Sequence, residues 1–292
     1  MKCFTGMRSA IAVLGAATLL ASTAVSAGAS PTSGVYNAKD AALVPAAYKH
    51  MTIQVATDAS YPPDEYFKGT NMVGFDLDLM KALATTLGLK YKENNVVFAT
   101  IIAGIEGGRY QIGNSSFTPT LARQKKVNFA DYYQAGEGVY VNASSKFAFK
   151  NAQSFCGHKV AVEAGTVEVT DAQAVKCSGG KKVTLLIFQT QTGANAAVES
   201  GQANAGFVDS QVAGYVVATA KGLFKLDGSP INVAPYGIAT AKTPNGLQLA
   251  KAIQAAFKTM VANGTYNAVL THWGAQSGKI PAAKMILNGA TS

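Results

Sequence analysis

Arg123 follows a run of small hydroxyls: Ser115, Ser116, Thr118 and Thr120 precede it in IGNSSFTPTLARQKKVNF, Ile112 to Phe129. A guanidinium flanked by hydroxyls suits a carboxylate, because its planar fork can hold both oxygens at once. The same residues would also make a polar turn leading into a solvated helix. Farther along, Gly165-Thr166 sit between an expected strand and an expected helix, where free backbone N–H groups collect. Asp209 follows the apolar AGFV and could receive an ammonium. Together these groups fit recognition of a small zwitterion. Each has a plainer reading alone: a surface arginine, an aspartate that caps a helix, and in Tyr61 and Phe98 two core or turn aromatics. Their joint placement at strand ends favours a binding site.

Other chemistries find little support. His50, His158 and His272 are far apart, and no C-x-x-C occurs, so no metal site is expected. There is no G-x-S-x-G elbow and no phosphate-binding G-x-x-x-x-G-K-[ST] loop, and GEGVYV lacks the last glycine of a dinucleotide fingerprint. No cofactor is expected. Glu163 and Glu168 could be proposed as an acid/base pair, but their spacing is common, and they are read as exposed surface acids.

The elements that must position these groups alternate along the chain. TIQVATD near Met51 reads as a strand, ended by Tyr61-Pro62-Pro63. Phe75, Leu79, Leu83 and Leu87 recur every fourth residue with Gly88 as the stop, which predicts a helix. A helix near Ala99 to Glu106, a strand near Gln111 to Asn114, a helix over Leu121 to Lys126 and an extended run from Gly136 to Asn142 follow. A second series has strands at Lys159 to Val162, Val183 to Phe188 and Ala205 to Val208. Its helices lie at Val167 to Val175, Gly193 to Ser200 and Gln211 to Ala220. NVAPYGIAT is extended, and helices over Pro244 to Ala262 and Tyr266 to Trp273 close the chain. Such alternation implies parallel βαβ units in two α/β lobes, with a cleft at the strand ends.

The first residues read as a secretory signal peptide, with Lys2 and Arg8 before an uncharged run from Ala10 to Ala21 and cleavage expected after Ala27. Cys3 precedes that run, so no lipid anchor is expected. Residues 28–49 read as a flexible leader, with order beginning near Met51. The chain has 25 basic and 16 acidic residues, a formal charge of +9. Loss of Lys2 and Arg8 leaves 23 against 16, or +7, spread too thinly for a nucleic-acid stripe. Cys156 and Cys177 then remain, and an even count outside the cytoplasm favours a disulfide.

Several segments, in order, resemble one family over residues 50–275. VATDASYPP, VGFDLDLMKALATTLGL and FATIIAGIEGGRYQIGNSSFTPTLARQKKVNFADYY come first; VAVEAGT, AVESGQANAGFVD, PYGIAT and GTYNAVLTHWG follow. They are similar to the extracytoplasmic solute-binding proteins of amino-acid ABC transporters, family 3, which include lysine/arginine/ornithine, histidine and glutamine binders. The resemblance implies a fold of the type II periplasmic-binding kind. Its lobes would be residues 50–136 with 235–292, and residues 137–234, hinged near Gln134 to Val139 and Asn232 to Tyr236. It implies that Arg123 clamps the ligand carboxylate with Thr118 and the Thr166 backbone, and that Asp209 takes the ammonium. Tyr61 and Phe98 would sandwich the side chain, Ser115 and Ser116 would line the pocket, and the side-chain end would lie toward Asp58. A polar or cationic amino acid is the implied ligand and a membrane permease the implied partner, with the protein a monomer in the periplasm or secreted. Asp64, Gln111, Leu121-Ala122 and Val167 depart from the family pattern. The alternatives are an enzyme on the same fold, akin to cyclohexadienyl dehydratases and using Glu163 or Glu168, or a binding protein that serves a sensor.

Overall fold

The computed structural model describes Met1 and residues 32–289; apart from Met1, the expected signal peptide lies outside them. Secondary structure starts earlier than Met51. Asn37 accepts hydrogen bonds from Lys39 N and Asp40 N and so caps α1 (Ala38–Ala42), and α2 (Ala46–Lys49) follows. This segment lies on the helix that carries the leucine ladder. Asn37 N donates to Thr86 O at 3.0 Å, and Gly34 packs so close to Ala82 that a β-carbon would fall 2.4 Å from its carbonyl oxygen. The small-residue composition that suggests a flexible leader also permits this close approach.

β1 (Thr52–Thr57) leads into a small antiparallel meander of β2 (Ser60–Tyr61), β3 (Glu65–Lys68) and β4 (Asn71–Val73). α3 (Phe75–Leu87) buries the four ladder residues and stops at Gly88, whose left-handed φ of 65° lets its N–H return to the last turn. β5 (Lys90–Asn95), α4 (Ile101–Glu106), β6 (Ile112–Gly113) and the one-turn α5 (Leu121–Gln124) complete the first part of lobe one. β7 (Val127–Asn142) then crosses into the second lobe. There lie β8 (Lys159–Glu163), α6 (Val167–Ala174), β9 (Thr184–Phe188), α7 (Gln191–Glu199), β10 (Ala205–Asp209), α8 (Ser210–Thr219) and β11 (Phe224–Leu226). β12 (Ile231–Ala241) returns, and α9 (Pro244–Ala262) and α10 (Thr265–Trp273) pack on lobe one.

The strand order β5-β1-β6-β12-β7-β10-β8-β9 explains the two lobes. The outer triplets are parallel, as βαβ units require, whereas β12 and β7 are antiparallel to each other and join the triplets. Separate apolar cores lie on either side, one around Leu79, Leu83, Ile253 and Phe257, another around Phe155, Val160, Val162 and Phe207. The β7–β12 ladder shifts register between Ile231 and Ala234 and again between Tyr236 and Gly237, within the stretch expected to hinge. Cys156 and Cys177 form a disulfide with a Cα–Cα distance of 5.7 Å, tying the entry to β8 to the loop after α6. No helix of the described residues is long and apolar enough to cross a membrane.

Candidate functional site

The site is assembled from strand ends, where the backbone turns and side chains are free to converge. Asp58 follows β1, Glu163 ends β8, Asp209 ends β10, and Arg123 rides on α5. Thr120 caps that short helix by accepting from Arg123 N at 3.2 Å, which fixes where the arginine starts. A single cavity between the lobes, with about 320 Å³ of empty space, is lined by all nine residues expected from sequence: Asp58, Tyr61, Phe98, Ser115, Ser116, Thr118, Arg123, Thr166 and Asp209. Glu65, Glu163, Val167 and Glu168 also line it.

Arg123 is held by backbone. Nη1 donates to Thr118 O at 2.7 Å and Nη2 to Gly165 O, on the other lobe, at 2.8 Å. Its guanidinium carbon lies 5.5 Å and 5.4 Å from the ring centres of Phe98 and Phe117, which stack on each other at 4.6 Å. Two of five N–H donors are thus committed to orientation, and three remain. Burial lowers its pKa to about 10, opposed by Glu168 and Asp209, so it stays charged at neutral pH. Gly165 has φ 84°, and a β-carbon there would sit 2.9 Å from Ala99 Cα of the facing lobe. Only glycine lets the lobes meet so closely.

Other contacts cross the cleft. Tyr61 OH donates to Asp209 Oδ2 at 2.8 Å, Gln191 N donates to Ser60 Oγ at 3.2 Å, and Gln211 Nε2 donates to Asp64 Oδ2 at 2.9 Å. Asp58 and Glu163 line the same cavity from opposite lobes, and Asp58 is one of the groups that raise Glu163, which keeps Glu163 protonated near neutral pH. Asp58 is oriented by Phe98 N at 2.8 Å and Ser60 N at 3.0 Å.

The expectation that Glu163 and Glu168 are exposed is overturned: they are 2% and 1% exposed. Burial, then Asp58 and Glu168, push Glu163 up to about 9; burial, then Asp209, push Glu168 up to about 8. Burial raises Asp209 to about 6, while hydrogen bonds from Tyr236 and Tyr61 and the nearby Arg123 pull it back. Glu65 is raised well above the usual range by burial, Asp76 and Asp64. One oxygen each of Glu65, Glu163 and Glu168 is buried without a hydrogen-bond partner. Among the described residues the only salt bridge is Lys126–Glu106, so no pocket acid lies within salt-bridge distance of a cation, although Arg123 acts on Glu168 and Asp209 from farther away.

Ser115 and Ser116 do not point their hydroxyls at the cavity alone. Ser115 Oγ donates to Glu65 Oε1 at 2.6 Å and accepts from Asp58 N at 3.0 Å. Ser116 Oγ turns to Asp64 Oδ2 at 2.8 Å and Asp76 Oδ2 at 3.1 Å, part of a buried carboxyl group that also takes a bond from Tyr132 OH at 2.5 Å. Ser115 thus orients a lining acid, Glu65, and Ser116 orients acids behind the wall. Glu163 and Glu168 were discoverable in principle, since they flank the Gly165-Thr166 turn already singled out. Glu65 carried no such signal beyond its place after Asp64.

Comparison with known proteins agrees with this fold. Residues 53–276 match the family described as bacterial extracellular solute-binding proteins, family 3. The Arginine-binding protein ArgT of Corynebacterium glutamicum is 28% identical over 250 residues, covering 83% of this chain and 81% of that protein. An ancestral arginine-binding protein bound to arginine superposes with a TM-score of 0.72 at 29% identity, over 77% of this chain and 99% of its own. An ancestral amino acid-binding protein, a precursor of cyclohexadienyl dehydratase, reaches 0.68 at 30% identity over 76% of this chain and 95% of its own.

Proposed function

Since the chain belongs to the bacterial extracellular solute-binding proteins, family 3, we propose that it captures a free α-amino acid with a cationic side chain and delivers it to the membrane permease of an ABC transporter. It acts outside the cytoplasm as a monomer, after loss of residues 1–27. One observation carries the choice of ligand: a single guanidinium shares its cavity with five carboxyl residues, Asp58, Glu65, Glu163, Glu168 and Asp209. The acids that act on Arg123 are Glu168 and Asp209, which leaves Asp58, Glu163 and Glu65 for a second cation.

In this reading the ligand carboxylate takes the free N–H groups of Arg123 and backbone donors at the start of α6, with Thr118 and Thr166 holding the frame. The α-ammonium sits at Asp209. The side-chain cation meets Asp58 and Glu163 and displaces the proton that burial keeps on Glu163, with Tyr61 and Phe98 beside the aliphatic stem. Because Arg123 and Asp58 belong to one lobe and Asp209 and Glu163 to the other, the ligand bridges both and favours the closed state. The crossing strands β7 and β12 are the hinge. The names of the arginine-binding relatives agree with this choice.

Thermal unfolding of the mature protein against the free L-amino acids tests it. Arginine, lysine or ornithine should raise the melting point, since a ligand at about 100 times its Kd adds about 2.7 kcal/mol. A response confined to neutral or acidic amino acids would reject the cationic assignment. A protonated Glu163 is also what an acid catalyst on this fold would need, so product formation from cyclohexadienyl acids, abolished in Glu163→Gln, would favour the enzyme alternative.

A further inference from the structure

The cleft does not end at Asp209. A second, solvent-open cavity shares Thr118, Val167 and Asp209 with the first and runs along the crossing strands to Glu137, Asp171 and Asn232. Glu137 stands directly opposite Asp209 in the β7–β10 ladder. Facing residues of an antiparallel pair project from the same side, with β-carbons about 5 Å apart. Asp171 lies one turn beyond Glu168 on α6.

Glu137 is 2% exposed. Its Oε2 accepts from Asn232 Nδ2 at 2.7 Å, and the same amide serves Asp171 Oδ2 at 2.7 Å. Its other oxygen, Oε1, is buried with no partner. Asn232 holds a left-handed φ of 51°, so this bridge is kept in a conformation few non-glycine residues adopt. The groups facing Glu137 from the elements around it are acids: Glu168 and Asp171 on α6 and Asp209 on β10. No lysine or arginine lines this cavity. Burial, then Glu168 and Asp171, push the Glu137 carboxyl up to about 10, which an arriving ammonium would reverse. Ala135, Val233 and Ala234 supply apolar wall, and Thr118 and Thr120 supply hydroxyls.

We propose that this hinge-side cavity receives the free ammonium of a second residue, so that the protein also binds a dipeptide whose cationic C-terminal residue occupies the first cavity. The proposal rests on the amino-acid reading above. The dipeptide carboxylate would keep its place at Arg123, and its amide N–H would replace the ammonium at Asp209. The new ammonium then lies about one Cα–Cα step of 3.8 Å farther along, on the side where Glu137 faces Asp209 across the ladder.

Calorimetric titration of the mature protein with arginine, lysine, Gly-Arg, Gly-Lys and N-acetyl-Gly-Arg tests this. Gly-Arg or Gly-Lys should bind within about tenfold of the matching free amino acid, and acetylation should weaken Gly-Arg about tenfold or more, the worth of one charge-assisted hydrogen bond. Glu137→Gln, and separately Asp171→Asn at a more accessible position, should weaken the dipeptide while leaving the free amino acid within about threefold. Binding of free amino acids without dipeptides, or equal loss of both in the variants, overturns this proposal alone. If neither kind of ligand binds, the amino-acid reading falls as well.

Discussion

Replacing Arg123 by alanine removes the one cation of the ligand cavity. In the native protein two of its N–H groups are tethered, to Thr118 O at 2.7 Å and Gly165 O at 2.8 Å. These tethers hold the guanidinium plane and leave three donors for a carboxylate. Charge-assisted hydrogen bonds contribute about 1.5–3 kcal/mol each, so two of them amount to at least about 3 kcal/mol, or a loss of affinity of roughly 100-fold or more. Arg123→Lys keeps the charge but cannot satisfy two carbonyls and a bidentate carboxylate together; it should fall between wild type and alanine. Calorimetric titration with L-arginine reads the effect, and agmatine, which lacks the carboxylate, isolates it. Agmatine should bind the alanine variant at least as well as wild type, because no carboxylate partner has been lost. The reasoning is refuted if Arg123→Ala, still folded by its melting curve, binds arginine within threefold of wild type, or if agmatine and arginine lose affinity alike.

Protonation gives two further expectations. Glu163 and Glu168 are raised from 4.5 to about 9 and about 8 in the folded protein, so the fold keeps protons that the unfolded chain releases above about pH 4.5. By linkage, the stability these groups supply is present below that pH and is lost as pH rises through about 8–9. The melting point of the ligand-free protein should therefore fall from pH 5 to pH 9, with a flatter fall in Glu163→Gln; a steady rise would contradict the burial of these acids. Binding has the opposite sign: a ligand cation expels the proton held by Glu163, which is raised to about 9, so arginine should bind more tightly from pH 6 to pH 8. The titration enthalpy should then vary with the buffer's ionisation heat, and a flat profile would argue against displacement. Exchanging both Cys156 and Cys177 for serine should cost about 3 kcal/mol, lowering the melting point by about 6–12 °C; an unchanged melting point would show that the bridge contributes no stability.

What could be read from the sequence, and what could not, follows from where the controlling interactions lie. The Phe75, Leu79, Leu83, Leu87 ladder and the Gly88 stop are local, and α3 has the expected bounds. The hydroxyl-rich approach to Arg123 is local too, and its residues meet in one cavity. β5 was not legible because KYKENN is polar, an edge strand held by its pairing with β1. The β2–β4 meander has a cis Pro62-Pro63 bond in its first turn, between β2 and β3, in a stretch with too few residues to show a period. Burial of Glu163 and Glu168 is a tertiary fact: each flanks a turn that would be solvent-exposed in one lobe alone, and it is the facing lobe that removes the water. Ser116 lines the cavity, and the carboxyls its hydroxyl serves, Asp64 and Asp76, come from distant chain positions that no local pattern links to it.

The central claim is that the second pole of the cavity, at Asp58 and Glu163, selects a cationic side chain. Titrating the mature protein side by side with L-arginine and L-citrulline tests it most directly, because the two differ by a charge at nearly constant shape. Arginine should bind about 10- to 100-fold more tightly, the worth of a charged hydrogen bond to a buried acid. Equal affinity, or a preference for citrulline, would contradict the account.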